Sequence, residues 1–333
     1  GGWIPKWPNP TYTNIMIGTH ADAVIADAYI NGFRDYDVEK AYEAIRKDAY
    51  VPPTDDSLHR WGDREWWNGG YEARGGLSYY LKNGYVADDR TNESVARTLE
   101  FALSDYCIAQ MAKALGKTAD YEDLMRRAKN YRYLYNPKTK LFQARNADGS
   151  WAGEHSGFTE GANWTYQFCV MQDVQGLIDL MGGNESFAAA LDNVFDNGHY
   201  RHDNEPGHHY VYLYNYCGRF DKAQERIPDT HYRNGADGLS GNDDCGQMSA
   251  WYLFSSLGFY PVTPASGEYA LGIPRFPSAR VELPHGKVLT VRAEGLKEHK
   301  HLPVILFNGK KLDAPFIAIR DLMKGGVLEF KAE

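Results

Sequence analysis

Apolar residues recur every three to four positions through most of the first 266 residues, then alternate with polar ones from about Gly267 onward. The first pattern predicts helices over 21–33 ("ADAVIADAYINGF"), 37–50, 93–116, 121–135, 161–182, 185–197, 208–218, 221–233 and 245–258. Boundary residues agree with it: Asp37 stands as an N-cap, Gly32 lies near the end of the first helix, and Gly116 stops the long third one. Helix, polar turn and helix repeat as an all-α array. The alternating stretches "ARVELPHGKVLTVRAEG", "LPVILFNGKKL" and "GGVLEFKA" predict antiparallel strands, with Asn308-Gly309 as a hairpin turn. The expected organisation is therefore a helical domain over 1–266 and a β-rich segment over 267–333. The opening "GGWIPKWPNP" is turn-rich and reads as entry from something upstream.

Three polar clusters break this pattern: "TEG" (159–161), "DNEPGHH" (203–209) and "GNDDCGQ" (241–247). Each falls in a loop immediately before a predicted helix, where unpaired N–H groups collect. Helical barrels gather such loops at one end, so three acidic loops at one topological position imply a shared pocket. A lone Asp before a helix is most simply a cap. Three such loops together favour chemistry instead.

Glycosidic cleavage needs a protonated carboxyl for the leaving oxygen and an ionised one to activate water or attack carbon. Glu160, beside Phe158 and Trp164, is placed for partial desolvation, which suits an acid. Adjacent Asp243 and Asp244 point in different directions, one suited to a base and the other to substrate or metal. His202, Asp203, Asn204, Glu205, His208 and His209 form a further polar set. It lacks the i, i+4 histidines of a zinc helix; on spacing alone it reads as a hydrogen-bonded polar loop or as a metal site, whose hard oxygens would favour calcium over softer-ligand metals. The EF-hand spacing is absent. Of His208 and His209, one is expected to pack in the core and the other to meet substrate or backbone. Asp22 and Asp27, five apart and so on different helix faces, are either sugar contacts or caps. "WGDREWWNGGYEARGG" (61–76) reads as an aromatic lid or a set of core staples.

Composition narrows the partners. A net charge of −8 over 333 residues, with no basic stripe, argues against nucleic acid. No apolar run reaches the ~18 residues needed to span a bilayer. Tyr (24) and Trp (8) are abundant, which serves either a large core or stacking against sugar rings. Cys107, Cys169, Cys217 and Cys245 show no CxxC spacing, and the first three lie in apolar stretches as reduced core residues. N-x-S/T triplets stand at Asn92, Asn163 and Asn184. The chain has no initiating Met or signal segment and is expected to begin after processing or trimming.

Taken in order, "IADAYINGF", "SVARTLEFALSDYCIAQMAKALG", "FTEGANWTYQF", "DVQGLIDLMGG", "NEPGHHYVYLYNYCG", "GNDDCGQMSAWYLFSSLGFYPV" and "YALGIPRF" resemble glycoside hydrolase family 92. Its members are calcium-dependent exo-acting α-mannosidases. The resemblance implies a six-hairpin α/α barrel (a toroid) preceded by a β-sandwich that this chain lacks, with the last strands joining the sandwich-side β structure. It implies inverting hydrolysis of terminal α-mannosides on N-glycans or mannans, with Glu160 as general acid and Asp244 as general base. Asn242, Asp243 and Gln247 would position the water, the sugar or the ion. Calcium would bind mannose hydroxyls, with Asn204, Glu205 and Asp243 as its protein ligands. Asp22, Asp27, Trp164, His202, Glu205, His208 and Asp243 would contact the sugar. The missing β-sandwich, which completes the leaving-group subsite in the family, is the expected partner. A secreted, periplasmic or cell-surface bacterial location follows. Departures are Asn242-Asp243-Asp244 where many members have "DED", "GANWTY" for "GNAWQY" and "MQD" for "PHD". The alternatives are a non-catalytic glycan-binding helical module and another α/α-barrel carbohydrate enzyme, a phosphorylase or a lyase.

Overall fold

Helix α4 (Ser94–Ala114) runs through the core of the first half of the chain. Small residues stand around its circumference (Ala96, Ala102, Ser104, Ala109 and Ala112), all buried, so neighbours pack close on most of its sides. Those neighbours are α1 (Ala21–Ile30), α2 (Val38–Tyr50) and α5 (Thr118–Arg127), which share a core including Ala26, Ile45, Ile108 and Leu124. The structure is a computed structural model that describes residues 3–7, 13–62, 72–225, 231–293 and 304–331. Asp37 caps α2 as its position predicts, accepting the Lys40 N–H at 3.1 Å. Helix α3 (Leu77–Asn83) was not anticipated, because seven residues are too few for a period to show. A two-stranded hairpin, β1 (Tyr135–Asn136) with β2 (Leu141–Phe142), follows α5.

Several predicted helices are shorter or tighter than the periodicity implies. The expected 121–135 helix stops at Arg127, and Asn130–Leu134 forms a 3₁₀ turn. The expected 161–182 helix divides into α6 (Asn163–Tyr166), a 3₁₀ turn at Met171–Asp173 and α7 (Val174–Leu180). The five consecutive residues Tyr166–Val170, where the helix is interrupted, are all buried. Residues 210–217 form a 3₁₀ segment in which every residue except Tyr216 is buried. Helices α8 (Asn184–Asp196), α9 (Phe220–Glu225) and α10 (Gln247–Leu257) complete the main helical part. Part of the predicted 221–233 helix lies outside the described residues, as do Trp66 and Trp67 of the 61–76 segment. Trp61 is a core staple, donating its indole N–H to Asp56 at 2.7 Å.

The C-terminal strands form two sheets. β3 (Phe259–Tyr260), β4 (Glu268–Leu271) and β9 (Phe316–Ala318) make an antiparallel three-stranded sheet. β5 (Ser278–Glu282), β6 (Val288–Arg292), β7 (Val304–Phe307), β8 (Lys310–Lys311) and β10 (Gly326–Lys331) make a second, in the order β5-β6-β10-β7-β8. The expectation of purely antiparallel strands is corrected here, because β10 pairs in parallel with β6. A crossover makes this possible: β7, β8, β9 and the short α11 (Ile319–Leu322) occupy the chain between them. The Asn308-Gly309 hairpin stands as predicted, both residues left-handed (φ 50° and 78°) between β7 and β8.

Contacts gather into two units, residues 1–173 with 264–266, and residues 174–263 with 267–333. The division expected at 266/267 differs from this one. Leu271, Leu289, Val291 and Leu328 of the sheets share one core with Phe254 and Leu257 of α10, so the β-rich segment packs with its preceding helices. Cys107, Cys169 and Cys217 are buried free thiols, and Cys245 is exposed.

Buried charge pins the first unit together. Arg74 reaches Asp22 (2.8 Å), Asp105 (2.6 Å) and the Thr19 hydroxyl (3.0 Å) with no exposure to solvent. Arg127 grips the other side of Asp105 at 2.8 and 2.9 Å, and Tyr80 donates to it at 3.0 Å. A third carboxyl, Asp48 on the buried face of α2, is hydrogen-bonded to Asp22. Asp22 Oδ1 and both Asp48 oxygens meet no other donor, so the two carboxyls share a proton. With Asp48 neutral, two guanidinium groups balance two carboxylates. Nearby, Glu72 receives both Arg97 and, at 3.1 Å, Lys6.

Two outcomes follow from this cluster. Burial, and after it the Asp22 charge, pushes the Asp48 carboxyl up to about 9 from 3.8, so the folded chain keeps a proton that the unfolded chain releases. Its stabilising contribution is complete below the ordinary carboxylate value and is lost as pH rises toward about 9. Urea midpoints measured across that range are expected to fall more gently with pH in Asp48→Asn than in the native chain. Arg74→Met leaves Asp22 and Asp105 buried without their shared cation, and urea unfolding should show a loss of roughly 3–5 kcal/mol.

Candidate active site

In the first unit, the loop carrying Glu160 is anchored on the start of α4. The Gly157 carbonyl accepts the Val95 and Ala96 N–H groups at 2.9 and 3.0 Å, donors that a helix N-terminus leaves unpaired. Ser156 donates to Asp88 at 2.5 Å, and Ser94 donates to the same carboxylate at 2.7 Å. Gly157 has φ 88°, and a Cβ there would lie 2.8 Å from Ser94 Oγ, so only glycine fits. Glu160 is itself left-handed (φ 52°) and exposed. The expected desolvation by Phe158 and Trp164 is therefore not found, because Phe158 packs on Tyr166 (ring centroids 5.7 Å) and Trp164 is half-buried on α6.

Asp22 and Asp27 serve the fold. Asp22 is fully buried on Arg74, Thr19 and Asp48, which withdraws it from any sugar. The half-buried Asp27 accepts the Ala265 N–H at 2.8 Å and so ties the 264–266 segment to α1.

In the second unit the two remaining acidic loops meet. A Cβ on Gly241 would come 2.2 Å from the Asp203 carbonyl oxygen, so the 241–247 turn lies directly on the 202–209 loop. Two imidazoles lock the contact from beneath. His202 is buried between the hydroxyls of Tyr200 and Tyr232, each at 2.8 Å. Tyr232 spends its proton on the Met248 carbonyl (3.2 Å), so it accepts from His202 Nε2–H, and Nδ1 accepts from Tyr200. This fixes a neutral tautomer. Burial, then the neighbouring His208 and His231, push His202 down to about 3. His208 donates from Nε2 to the His202 carbonyl at 3.1 Å and accepts the Gln247 amide at Nδ1 at 3.2 Å. Burial holds its pKa below the usual value, with Asp203 and Asp244 among the groups opposing the shift. Trp251 stands edge-on to His202 at 4.4 Å and donates to the His208 carbonyl at 2.8 Å. His202, His208 and His209 are all buried, so the assignment of His202 and His208 to sugar contact is corrected: both ring nitrogens of each are committed internally.

Above these imidazoles lies the acidic turn. Asp243 caps α10 from outside, Oδ1 accepting the Ser249 N–H and hydroxyl, both at 2.9 Å, which leaves Oδ2 for an ion or sugar. Asp244 (φ 43°), Cys245 (φ 58°) and Gly246 (φ 99°) then run left-handed in succession. Each non-glycine residue held there costs about 1–2 kcal/mol. Asn242 and Asp244 are exposed, while Asn204, Glu205 and Asp243 are half-buried. Arg201 pairs with Asp203 through two 2.6 Å contacts and holds that carboxyl below the usual range.

The donors at this contact are hard oxygens of the kind calcium prefers. Among the described residues no three His, Cys, Asp or Glu side chains converge to hold a metal by themselves. Sequence reasoning missed the tyrosines at 200 and 232 and the Ser249 bonds. Tyr232 lies 30 residues from His202, a separation that leaves no local signal.

The sequence profile described as "Glycosyl hydrolase family 92 catalytic domain" matches residues 1–333. An "Uncharacterized secreted glycosidase" of Arthroderma benhamiae is 31% identical over 375 residues, covering 98% of this chain and 46% of that protein. The family GH92 inverting mannosidase BT2199 of Bacteroides thetaiotaomicron VPI-5482 superposes with a TM-score of 0.86 at 32% identity. That match covers 99% of this chain and 48% of the other. The family GH92 α-mannosidase BT3965 of the same species, solved with mannoimidazole, gives 0.83 at 36% identity, over 96% of this chain and 44% of its own. The chain spans about half the length of these relatives.

The turn's bookended geometry sets opposite stability effects for neighbouring carboxylates. Asp243→Ala, which removes the cap on α10, should lower stability by about 1–2 kcal/mol. Asp244→Gly, which relieves a left-handed residue, should raise it by up to about 1 kcal/mol. Thermal unfolding of the two variants side by side checks both signs.

Proposed function

The chain belongs to glycosyl hydrolase family 92, and from that premise we propose that it forms the catalytic portion of an exo-acting α-mannosidase. The reaction is inverting hydrolysis of terminal α-mannosides on N-glycans or mannans. The observation that carries this reading is the match of 99% of the chain to an inverting mannosidase at 32% identity.

Glu160 donates a proton to the departing glycosidic oxygen, and its exposure leaves the carboxyl open to substrate. Asp244 takes a proton from the attacking water, with exposed Asn242 beside it to orient that water. Trp164 offers a half-buried ring face, and Glu205 a half-buried carboxylate, to the sugar. Asn204, Glu205 and Asp243 Oδ2 would hold calcium, whose positive charge would complement the oxygens of the sugar hydroxyls. The roles of His202, His208 and Gln247 are to hold the loops that bear these groups. An upstream domain, for which the roughly doubled length of the relatives leaves room, completes the enzyme, which acts outside the cell or at its surface.

The test uses the full-length protein with a mannose disaccharide. Proton NMR should show β-mannose as the first product, and chelation should abolish turnover reversibly. Glu160→Gln should lower kcat by about 10²–10⁴-fold. Binding without turnover in the native protein would instead favour a glycan-binding module, and release of α-mannose would exclude inversion.

A further inference from the structure

Tyr166 is buried on the one-turn helix α6, and its hydroxyl donates at 2.8 Å to the carbonyl of Thr159, the residue before Glu160. A phenylalanine would pack the same space. The hydroxyl therefore answers to the loop, not to the core. Thr159 is buried too, yet its own hydroxyl meets no partner, so the residue is held through its carbonyl and not through its side chain. Burial, and after it the Glu100 charge, push the Tyr166 hydroxyl above its ordinary value, which keeps it a donor at any working pH.

The other end of the loop is fixed independently. The Gly157 carbonyl takes the Val95 and Ala96 N–H groups, and Ser156 is tied to Asp88. Beyond the carboxyl, Thr165 accepts the Ala162 N–H at 3.2 Å, and a Cβ on Gly161 would lie 2.6 Å from Thr165 Oγ1. Glu160 alone between these anchors adopts a left-handed backbone (φ 52°), and the carbonyl of the peptide before it accepts the Tyr166 hydroxyl. A residue in that region persists only when its surroundings over-determine it.

We propose that Tyr166 is a positioning residue for the Glu160 carboxyl: its hydroxyl clamps the Thr159 peptide and so aims the proton donor. This rests on the assignment of Glu160 as general acid. A misaimed acid fails only where the leaving group needs a proton. Tyr166→Phe in the full-length protein is expected to lower kcat about tenfold on a mannose disaccharide, with KM within about twofold. On a dinitrophenyl α-mannoside, whose leaving group departs as the anion, the change should stay under about threefold. Thermal unfolding confirms that the variant is folded. Equal losses on both substrates, or no loss on either, would overturn the clamp. Glu160→Ala is the control: the same selectivity, larger in size, sustains the acid assignment, whereas equal loss on both substrates removes that assignment and the clamp with it.

Discussion

The first unit depends on a guanidinium with nowhere to go. Arg74 sits without solvent contact between Asp22 of α1 and Asp105 of α4, and Arg127 of α5 closes on Asp105 from the far side. Charges taken out of water are tolerated only when paired and hydrogen-bonded. Here the requirement specifies which helices meet, in which register, more sharply than apolar packing among alanines does. Asp48 extends the constraint to α2 by sharing a proton with Asp22. The loop that bears Glu160 is hydrogen-bonded through Gly157 to the N-terminus of α4, the helix that carries Asp105, so its anchor rests on the same element.

The second unit solves a similar problem with neutral groups. His202 and His208 are buried, uncharged and fully bonded, and through Gln247 and Met248 they reach the first turn of α10. The acidic turn is thereby mounted on a stiff aromatic base, Trp251 and Tyr232 included. Loops that bind or react are usually the mobile parts of a fold. The acidic turn is instead backed by buried imidazoles with both ring nitrogens hydrogen-bonded.

Much of this was legible in the sequence, and what was not has physical causes. Long helices such as α4, the Asp37 cap and the Asn308-Gly309 hairpin rest on local rules, and they stand where those rules put them. The apolar runs at 166–170 and 210–217 misled because nearly every position there is buried, and a continuous apolar run does not distinguish an α-helix from a tighter or broken segment. The parallel β6–β10 pairing depends on a crossover that no short window contains. At the candidate site, the Gly-bounded turns announced themselves by composition. Asp22 did not reveal its partner, because Arg74 lies 52 positions away.

Both carboxylates assigned to proton transfer, Glu160 and Asp244, occupy backbone conformations that glycine or asparagine would adopt more comfortably. Selection for heat resistance alone would therefore drift toward replacing them, and a laboratory evolution campaign scored only on melting temperature would enrich inert proteins. Any such screen on this scaffold has to be gated on turnover, since ruggedness and reactivity pull these two positions in opposite directions.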